Sequence, residues 1–170
     1  AQLIVSGTGA IRSYDPSTGK INWECSGLSH NVVASPVAWD GMVFAGSSYE
    51  KQVLVAIKLA GAKGDLTTSD NLVWVRRRRT PYVPSPLLYE GKLYVLQHYQ
   101  ALLSRIDAKT GKEPHKMLRL PGLRDIYASP VAADGRVYYT GRDGTTLVMT
   151  SEDEPKMLAL NRLADGISAS

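Results

Sequence analysis

Apolar positions in this chain come in short runs, broken every few residues by Asp-Gly, Glu-Gly or Thr-Gly, and no stretch sustains the 3.6-residue period of an amphipathic helix. One pattern is written three times: Ala34-Ser-Pro-Val-Ala-Trp-Asp-Gly-Met-Val-Phe-Ala-Gly46, Pro84-Ser-Pro-Leu-Leu-Tyr-Glu-Gly-Lys-Leu-Tyr-Val-Leu96 and Ala128-Ser-Pro-Val-Ala-Ala-Asp-Gly-Arg-Val-Tyr-Tyr-Thr140. A fourth copy starts at Ala169-Ser170. The shared serines at 35, 85, 129 and 170 lie 50, 44 and 41 residues apart, a period that marks a repeat architecture.

Each copy predicts a hairpin. Proline lacks an N–H and is tolerated as the first residue of a strand, so Ser-Pro opens one. Asp40-Gly41, Glu90-Gly91 and Asp134-Gly135 then supply two-residue turns, with glycine taking the positive φ that primed turns require. Second strands follow at 42–45, 92–96 and 136–140. Third strands are expected at 10–14, 52–59, 101–106 and 145–150, and fourth strands at 21–25, 72–76, 117–120 and 156–160. Between third and fourth strands, Asp15-Pro-Ser-Thr-Gly-Lys20 and Asp107-Ala-Lys-Thr-Gly-Lys112 read as Asx-type turns. The middle repeat stretches the same turn into a polar insertion at 60–71, expected to be a surface loop. Four strands per repeat of this length predict an all-β chain of four-stranded antiparallel propeller blades.

The segment Ser13-Tyr-Asp-Pro-Ser-Thr-Gly-Lys-Ile-Asn-Trp23 resembles the tryptophan-docking repeat of the pyrroloquinoline-quinone-like (PQQ-like) β-propeller superfamily, and the Ser-Pro-Val phrase resembles its other half. That superfamily includes quinoprotein alcohol dehydrogenases, usually eight-bladed, and non-catalytic relatives such as the lipoprotein of the outer-membrane β-barrel assembly machinery. The resemblance implies that Trp23 and Trp74 dock neighbouring blades, and it implies an extracytoplasmic location in the periplasm or cell envelope. In the second turn motif His115 stands where tryptophan is expected, and Trp74 comes after the insertion.

Blades parse as a partial one over 1–29, full ones over 31–80, 81–124 and 125–163, and the start of another at 166–170. The first blade lacks its opening strand. A closed four-blade ring or a portion of a larger, eight-bladed ring both fit this parse, and the larger ring is the expectation. Its open edges would be met by more of the same chain or by a second copy in a homodimer that completes the ring.

Composition narrows the chemistry. A chain of 170 residues can bury a substantial core without disulfides or metals. The single cysteine, Cys25, cannot form an internal bridge and reads as a small buried apolar residue. No apolar run approaches the length of a membrane-spanning helix. Net charge is +4, and Arg76-Arg-Arg-Arg79 is the obvious cluster. Period-two alternation sends successive arginines to opposite faces, and no flanking basic field or nucleic-acid motif accompanies the run, which argues against nucleic acid as a partner. The acidic segment Thr150-Ser-Glu-Asp-Glu-Pro155 reads as a solvated turn, and His115 as solvated or packed at a blade edge.

Blade topology sorts loops onto two ends. The fourth-strand-to-next-blade loops and the second-to-third-strand loops share one end, which gathers His30, Asn31, Tyr49, Glu50, Arg79, Tyr82, His98, Tyr99, Arg124, Asp125, Tyr127, Arg142 and Asp143. Tyrosine and arginine are the residue types of interface hot spots, so this end is read as the face that holds a protein, peptide or cell-envelope partner. The alternative is a PQQ- and calcium-dependent oxidoreductase of alcohols or sugars. Oxygen ligands for calcium are present in Asn31, Glu50, Asp125 and Asp143, but the adjacent-cysteine disulfide of the dehydrogenases is absent. No catalytic set and no metal site is assigned, and no cofactor is expected in the binding reading.

Overall fold

The computed structural model describes residues 1–97 and 100–168, so the expectations placed on His98, Tyr99, Ala169 and Ser170 lie outside the described residues. The described residues form strands and turns with no helix. Four four-stranded sheets succeed one another along the chain. Sheet one contains β1 (Leu3–Gly7), β2 (Ala10–Tyr14), β3 (Ile21–Ser26) and a short β7 (Gly64–Asp65). Sheet two is β4 (Val37–Trp39), β5 (Met42–Ser47), β6 (Val53–Lys58) and β8 (Leu72–Arg76). Sheet three runs through β9 (Leu87–Tyr89), β10 (Lys92–Leu96), β11 (Leu102–Asp107) and β12 (Leu118–Arg119), and sheet four through β13 (Val131–Ala133), β14 (Arg136–Thr140), β15 (Thr145–Thr150) and β16 (Met157–Arg162). Two compact units divide these, Ala1–Tyr82 with sheets one and two and Val83–Ser170 with sheets three and four.

The repeated phrase folds as its residues dictate. In Asp40-Gly41, Glu90-Gly91 and Asp134-Gly135 both turn residues have positive φ, 50° and 72°, 50° and 72°, and 51° and 67°. These are type I′ turns, whose twist matches that of the flanking strands and sets their register. Trp39 accordingly pairs with Met42, Tyr89 with Lys92 and Ala133 with Arg136. The two Thr-Gly-Lys turns are also near copies. Asp15 Oδ1 accepts the Ser17 N–H at 2.8 Å and its hydroxyl at 2.5 Å, while Asp107 Oδ1 accepts the Thr110 N–H at 2.8 Å and its hydroxyl at 2.6 Å. These bonds, the hydroxyl bond foremost, hold both carboxyls below the usual range.

Each unit has one apolar core between its two sheets. In the first unit Ile11, Trp23 and Cys25 meet Val43, Ala45, Val53, Val55 and Ile57. In the second, Tyr94, Leu96, Leu103 and Leu120 meet Val137, Tyr139, Leu147 and Met149. Cys25 is buried there, and burial pushes its thiol above the ordinary range. Trp23 lies inside the first core with its indole N–H donated to Gln2 Oε1 at 3.1 Å. Trp74 is half-buried and packs at 5.8 Å on Phe44, whose neighbours Val43 and Ala45 enter the first core.

Two segments expected to be plain surface turns are built into the fold. The 60–71 insertion contains β7, which pairs in parallel with β3 through Trp23–Gly64 and Glu24–Asp65. Its Leu66 is buried in the first core, and Thr67 Oγ1 accepts the Ser26 N–H at 3.0 Å. One leucine in a polar stretch therefore anchors the insertion across the neighbouring sheet. The acidic 150–155 segment is gripped by sheet three. Buried Arg105 donates through its two terminal nitrogens to the carbonyls of Glu152 and Asp153, both at 2.8 Å. Lys92 Nζ reaches Asp153 at 2.6 Å, and His115 Nε2 lies 3.6 Å from the same carboxylate. The Tyr94 hydroxyl donates to the Ser151 carbonyl at 3.3 Å, and burial pushes that phenol up to about 12.

Gly91→Ala and Gly135→Ala should each destabilise the chain by about 1–2 kcal/mol, the strain of a side chain in the left-handed region, whereas Gly7→Ala, with open space where its Cβ would sit, should be near neutral. Urea unfolding of the three variants tests this. Arg105→Ala should lower stability by about 2–3 kcal/mol, because it strips a charged donor from two carbonyls. Arg105→Lys should recover only part of that in the same assay, since an ammonium does not reproduce the two-pronged fork.

Candidate functional site

The loops that the topology assigns to one end are tied together in pairs, each time a fourth-strand exit loop with a second-to-third-strand loop. In the first unit the His30 N–H donates to Glu50 Oε2 at 3.0 Å, and the His30 ring Nδ1 lies 3.1 Å from the same oxygen. The backbone bond, then the ring bond, holds the Glu50 carboxyl below its ordinary range. Beneath them Ser29 and Lys51 are cross-linked twice, Ser29 Oγ donating to the Lys51 carbonyl at 3.0 Å and accepting its N–H at 3.1 Å. Tyr49 then stacks on Tyr82 with ring centroids 5.6 Å apart and planes 18° from parallel.

The rest of the first patch is fixed by backbone geometry. Arg79 has φ 53°, and its N–H donates to Gln52 Oε1 at 3.1 Å. Next to it the buried Thr80 hydroxyl donates to the Ser47 carbonyl at 2.8 Å. The arginine run therefore ends in a turn. Arg76 is buried at the end of β8 with its Nε donated to the Arg78 carbonyl, while Arg77 and Arg78 face solvent. Asn31 is exposed beside His30.

A second patch forms in the other unit. The Arg142 N–H donates to the Asp125 carbonyl at 2.8 Å, and its guanidinium approaches Asp125 Oδ2 at 3.3 Å. The same guanidinium lies 4.5 Å from the centre of the Tyr127 ring, a cation–π arrangement. Asp143 accepts the Thr145 N–H at 3.1 Å and its hydroxyl at 3.0 Å, which holds its carboxyl below the usual range. Together with exposed Arg124, these side chains border an open cleft of about 430 Å³ completed by Gly166 and Ser168.

The thirteen residues assigned to the loop end thus comprise His30, Asn31, Tyr49, Glu50, Arg79 and Tyr82 in the first unit and Arg124, Asp125, Tyr127, Arg142 and Asp143 in the second, with His98 and Tyr99 outside the described residues. Sequence reasoning passed over Gln52, Thr80, Gly166 and Ser168. Thr145 carried a readable signal, since Asp143-Gly-Thr145 has the spacing of an Asx turn.

Calcium does not fit the carboxylate groups described. A calcium site needs six to eight converging oxygens. Here Glu50 is taken by His30, Asp125 faces Arg142 and Asp143 is closed onto Thr145. No three His, Cys, Asp or Glu side chains gather around a common point among the described residues. Among the described residues no helix is long and apolar enough to cross a membrane.

No curated protein matches the chain. Among solved structures, the computationally designed Ika8 protein superposes on 99% of this chain and 48% of its own, with TM-score 0.74 and 13% identity. BamB from Moraxella catarrhalis matches 99% of this chain and 63% of its own, with TM-score 0.56 and 15% identity. Quinohemoprotein alcohol dehydrogenase ADHIIG from Pseudomonas putida HK5 matches 76% of this chain and 20% of its own, with TM-score 0.55 and 20% identity. The chain spans about half the length of Ika8 and less than two thirds of BamB, and at these identities the likeness is one of fold. A family model described as outer membrane protein assembly factor BamB matches residues 1–165, and on that match the chain belongs to this family of PQQ-like β-propellers.

Proposed function

We propose that this chain is a non-catalytic binding scaffold of the cell envelope that holds a protein or peptide partner through its loop end. One observation carries the reading: aromatic and arginine side chains are exposed there and already held in place. Tyr49 is 60% exposed yet stacked on Tyr82, and Arg142 is exposed yet fixed by Asp125 and the Tyr127 ring. Side chains ordered before binding lose little entropy when a partner arrives, and large rigid aromatic surfaces contribute most per contact. The family's description, an outer membrane protein assembly factor, supports an extracytoplasmic setting and a partner that is itself a protein.

Chemistry at the loop end favours this over catalysis. Glu50, Asp125 and Asp143 are engaged by His30, Arg142 and Thr145, which suits the fixing of loops more than general-base work by these carboxylates. Arg124 and Arg142, which border the cleft, offer cationic contacts matched to an acidic or carbonyl-rich segment.

Photo-crosslinking amino acids placed in cells at Tyr49 in the first unit, and separately at Arg124 in the second, should each capture a defined protein. The same groups at Lys20 and Lys112, in the Thr-Gly-Lys turns of the opposite end, should not. With the captured protein purified, Tyr49→Ala and Arg142→Ala should each weaken binding at its own patch by about 30-fold, or 2 kcal/mol. Equal labelling from both ends would overturn the scaffold reading, and so would a saturable absorbance change on adding pyrroloquinoline quinone with calcium.

A further inference from the structure

The first unit carries a half-open cleft of about 390 Å³ between the outer parts of sheets one and two. Cys25 of β3 and Val53 and Val55 of β6 make an apolar, buried floor. Leu72 and Val75 of β8 line it further out, and Thr67 of the 60–71 insertion borders it beside Ser26. Lys51 and Arg77, both exposed, stand at its rim.

In the second unit the same construction is filled. Ile11, four residues before Asp15, pairs with Cys25, whereas Leu103, four residues before Asp107, pairs with Leu118. Val55 lies opposite Ala45 and Val75, whereas Leu147 lies opposite Tyr139 and Leu160. Cys25, Val55 and Val75 therefore occupy the positions of Leu118, Leu147 and Leu160, and all three are smaller than leucine. Leu160 covers Gly122, where a Cβ would meet its methyl carbons at 2.8 and 3.1 Å. Gly27, which like Gly122 precedes a buried exit-loop leucine, has no such cover, and the first atom a Cβ there would meet is Lys51 Nζ at 3.9 Å. Protein interiors are close-packed, so three shortened side chains at one place leave room for something else.

Charge changes at the same places. In the second unit Asp143 stands two residues before β15 and Arg162 two residues after Leu160, an acid and a base. The Asp143 carboxyl is lowered by its bonds to Thr145 and also by the Arg162 charge. The equivalent positions of the first unit hold two bases, Lys51 and Arg77, and neither forms an ion pair among the described residues. Of the acids nearby, Glu50 is bonded to His30 and Asp65 to Thr67. We infer that the cleft binds a medium-chain fatty acid, its carboxylate held by Lys51 and Arg77 and its tail laid over Cys25, Val53, Val55 and Val75. The tail supplies the hydrocarbon that leucines supply in the second unit, and the carboxylate supplies the missing acid. Burial of the tail gives affinity, and the cationic rim selects the head group. A neutral or cationic head on the same tail leaves Lys51 and Arg77 without a counter-charge. The site uses neither Tyr49 nor Arg124, so it stands apart from the partner surface.

The test is titration of the isotope-labelled chain with sodium octanoate, followed by nuclear magnetic resonance. The amides of Cys25, Gly27, Val53, Val55 and Val75 should shift saturably. Octanol, which keeps the tail and loses the charge, should bind about fivefold more weakly, and Lys51→Gln and Arg77→Gln should each weaken octanoate about threefold, the scale of solvent-exposed ion pairs. Val75→Leu places in the first unit the side chain that Leu160 provides in the second. It should abolish the octanoate shifts without lowering the thermal midpoint. Equal binding of octanol or octylamine, undiminished binding to the Val75→Leu variant, or shifts that spread over both units without saturating would each overturn the inference. Tighter binding of acetyl-Ala-Leu with a free carboxylate also overturns it, assigning the cleft to the carboxyl terminus of a peptide.

Discussion

Sheets two and three are apolar on both faces, and that requirement governs much of the rest of the structure. Along β5, Val43 and Ala45 enter the core shared with sheet one, while Phe44 between them is equally buried and meets Trp74 on the other face. Along β10, Tyr94 and Leu96 join the core with sheet four, and Leu93 and Val95 on the opposite face are as fully buried. A strand of this kind loses its driving force for folding if either face is left in water, since burial of a single aliphatic side chain is worth about 1.5–3 kcal/mol. Two-faced sheets therefore stack, and the type I′ hairpins hold their strands in the register that keeps the alternation in phase.

Stacked twisted sheets separate toward their outer strands, and the polar devices of the structure occupy that space. On the first unit the 60–71 insertion lays Gly64–Asp65 along β3 and drops Leu66 beside Trp23. On the second unit the space is bridged by charge, with Arg105 forking to two carbonyls of the 150–155 turn and Lys92 reaching Asp153. A buried guanidinium is tolerable only because each of these bonds is made. The apolar and the polar solution answer the same geometrical problem.

Strand order, hairpin turns and the two Asx turns were legible because each is local: turn glycines, Ser-Pro and the Asp-to-Thr-Gly spacing fix backbone conformation within a few residues. Five of the expected strand spans match the observed elements to the residue, and the others differ by one or two at an end. What escaped reading was set by contacts between repeats. Leu66 is one apolar residue in a polar segment, and its burial depends on the gap beside Trp23, which no local pattern records. Arg105 sits in an alternating strand like any surface residue, and only the carbonyls of a turn 47 and 48 residues away make its burial possible. The loop-end pairs lie between these cases: topology brought His30 near Glu50 and Arg142 near Asp125, but the ring stack of Tyr49 on Tyr82 needed coordinates.

The two ends of the blades differ in what their polar groups have left to offer. At the hairpin and Thr-Gly-Lys end, Asp15 and Asp107 spend their acceptor capacity on the N–H and hydroxyl of their own turns. At the loop end hydrogen bonds run between loops, so they lock one loop against another, while the Tyr49 face and the Arg124 guanidinium stay turned to solvent. The first arrangement stabilises those two turns separately, while the 150–155 turn at the same end is tied to sheet three by Arg105 and Lys92. The second fixes the relative positions of loops within a unit and leaves aromatic and cationic groups outward. Rigidity between loops, combined with exposed aromatic and cationic surface, is the physical ground on which the loop end is proposed as the binding end.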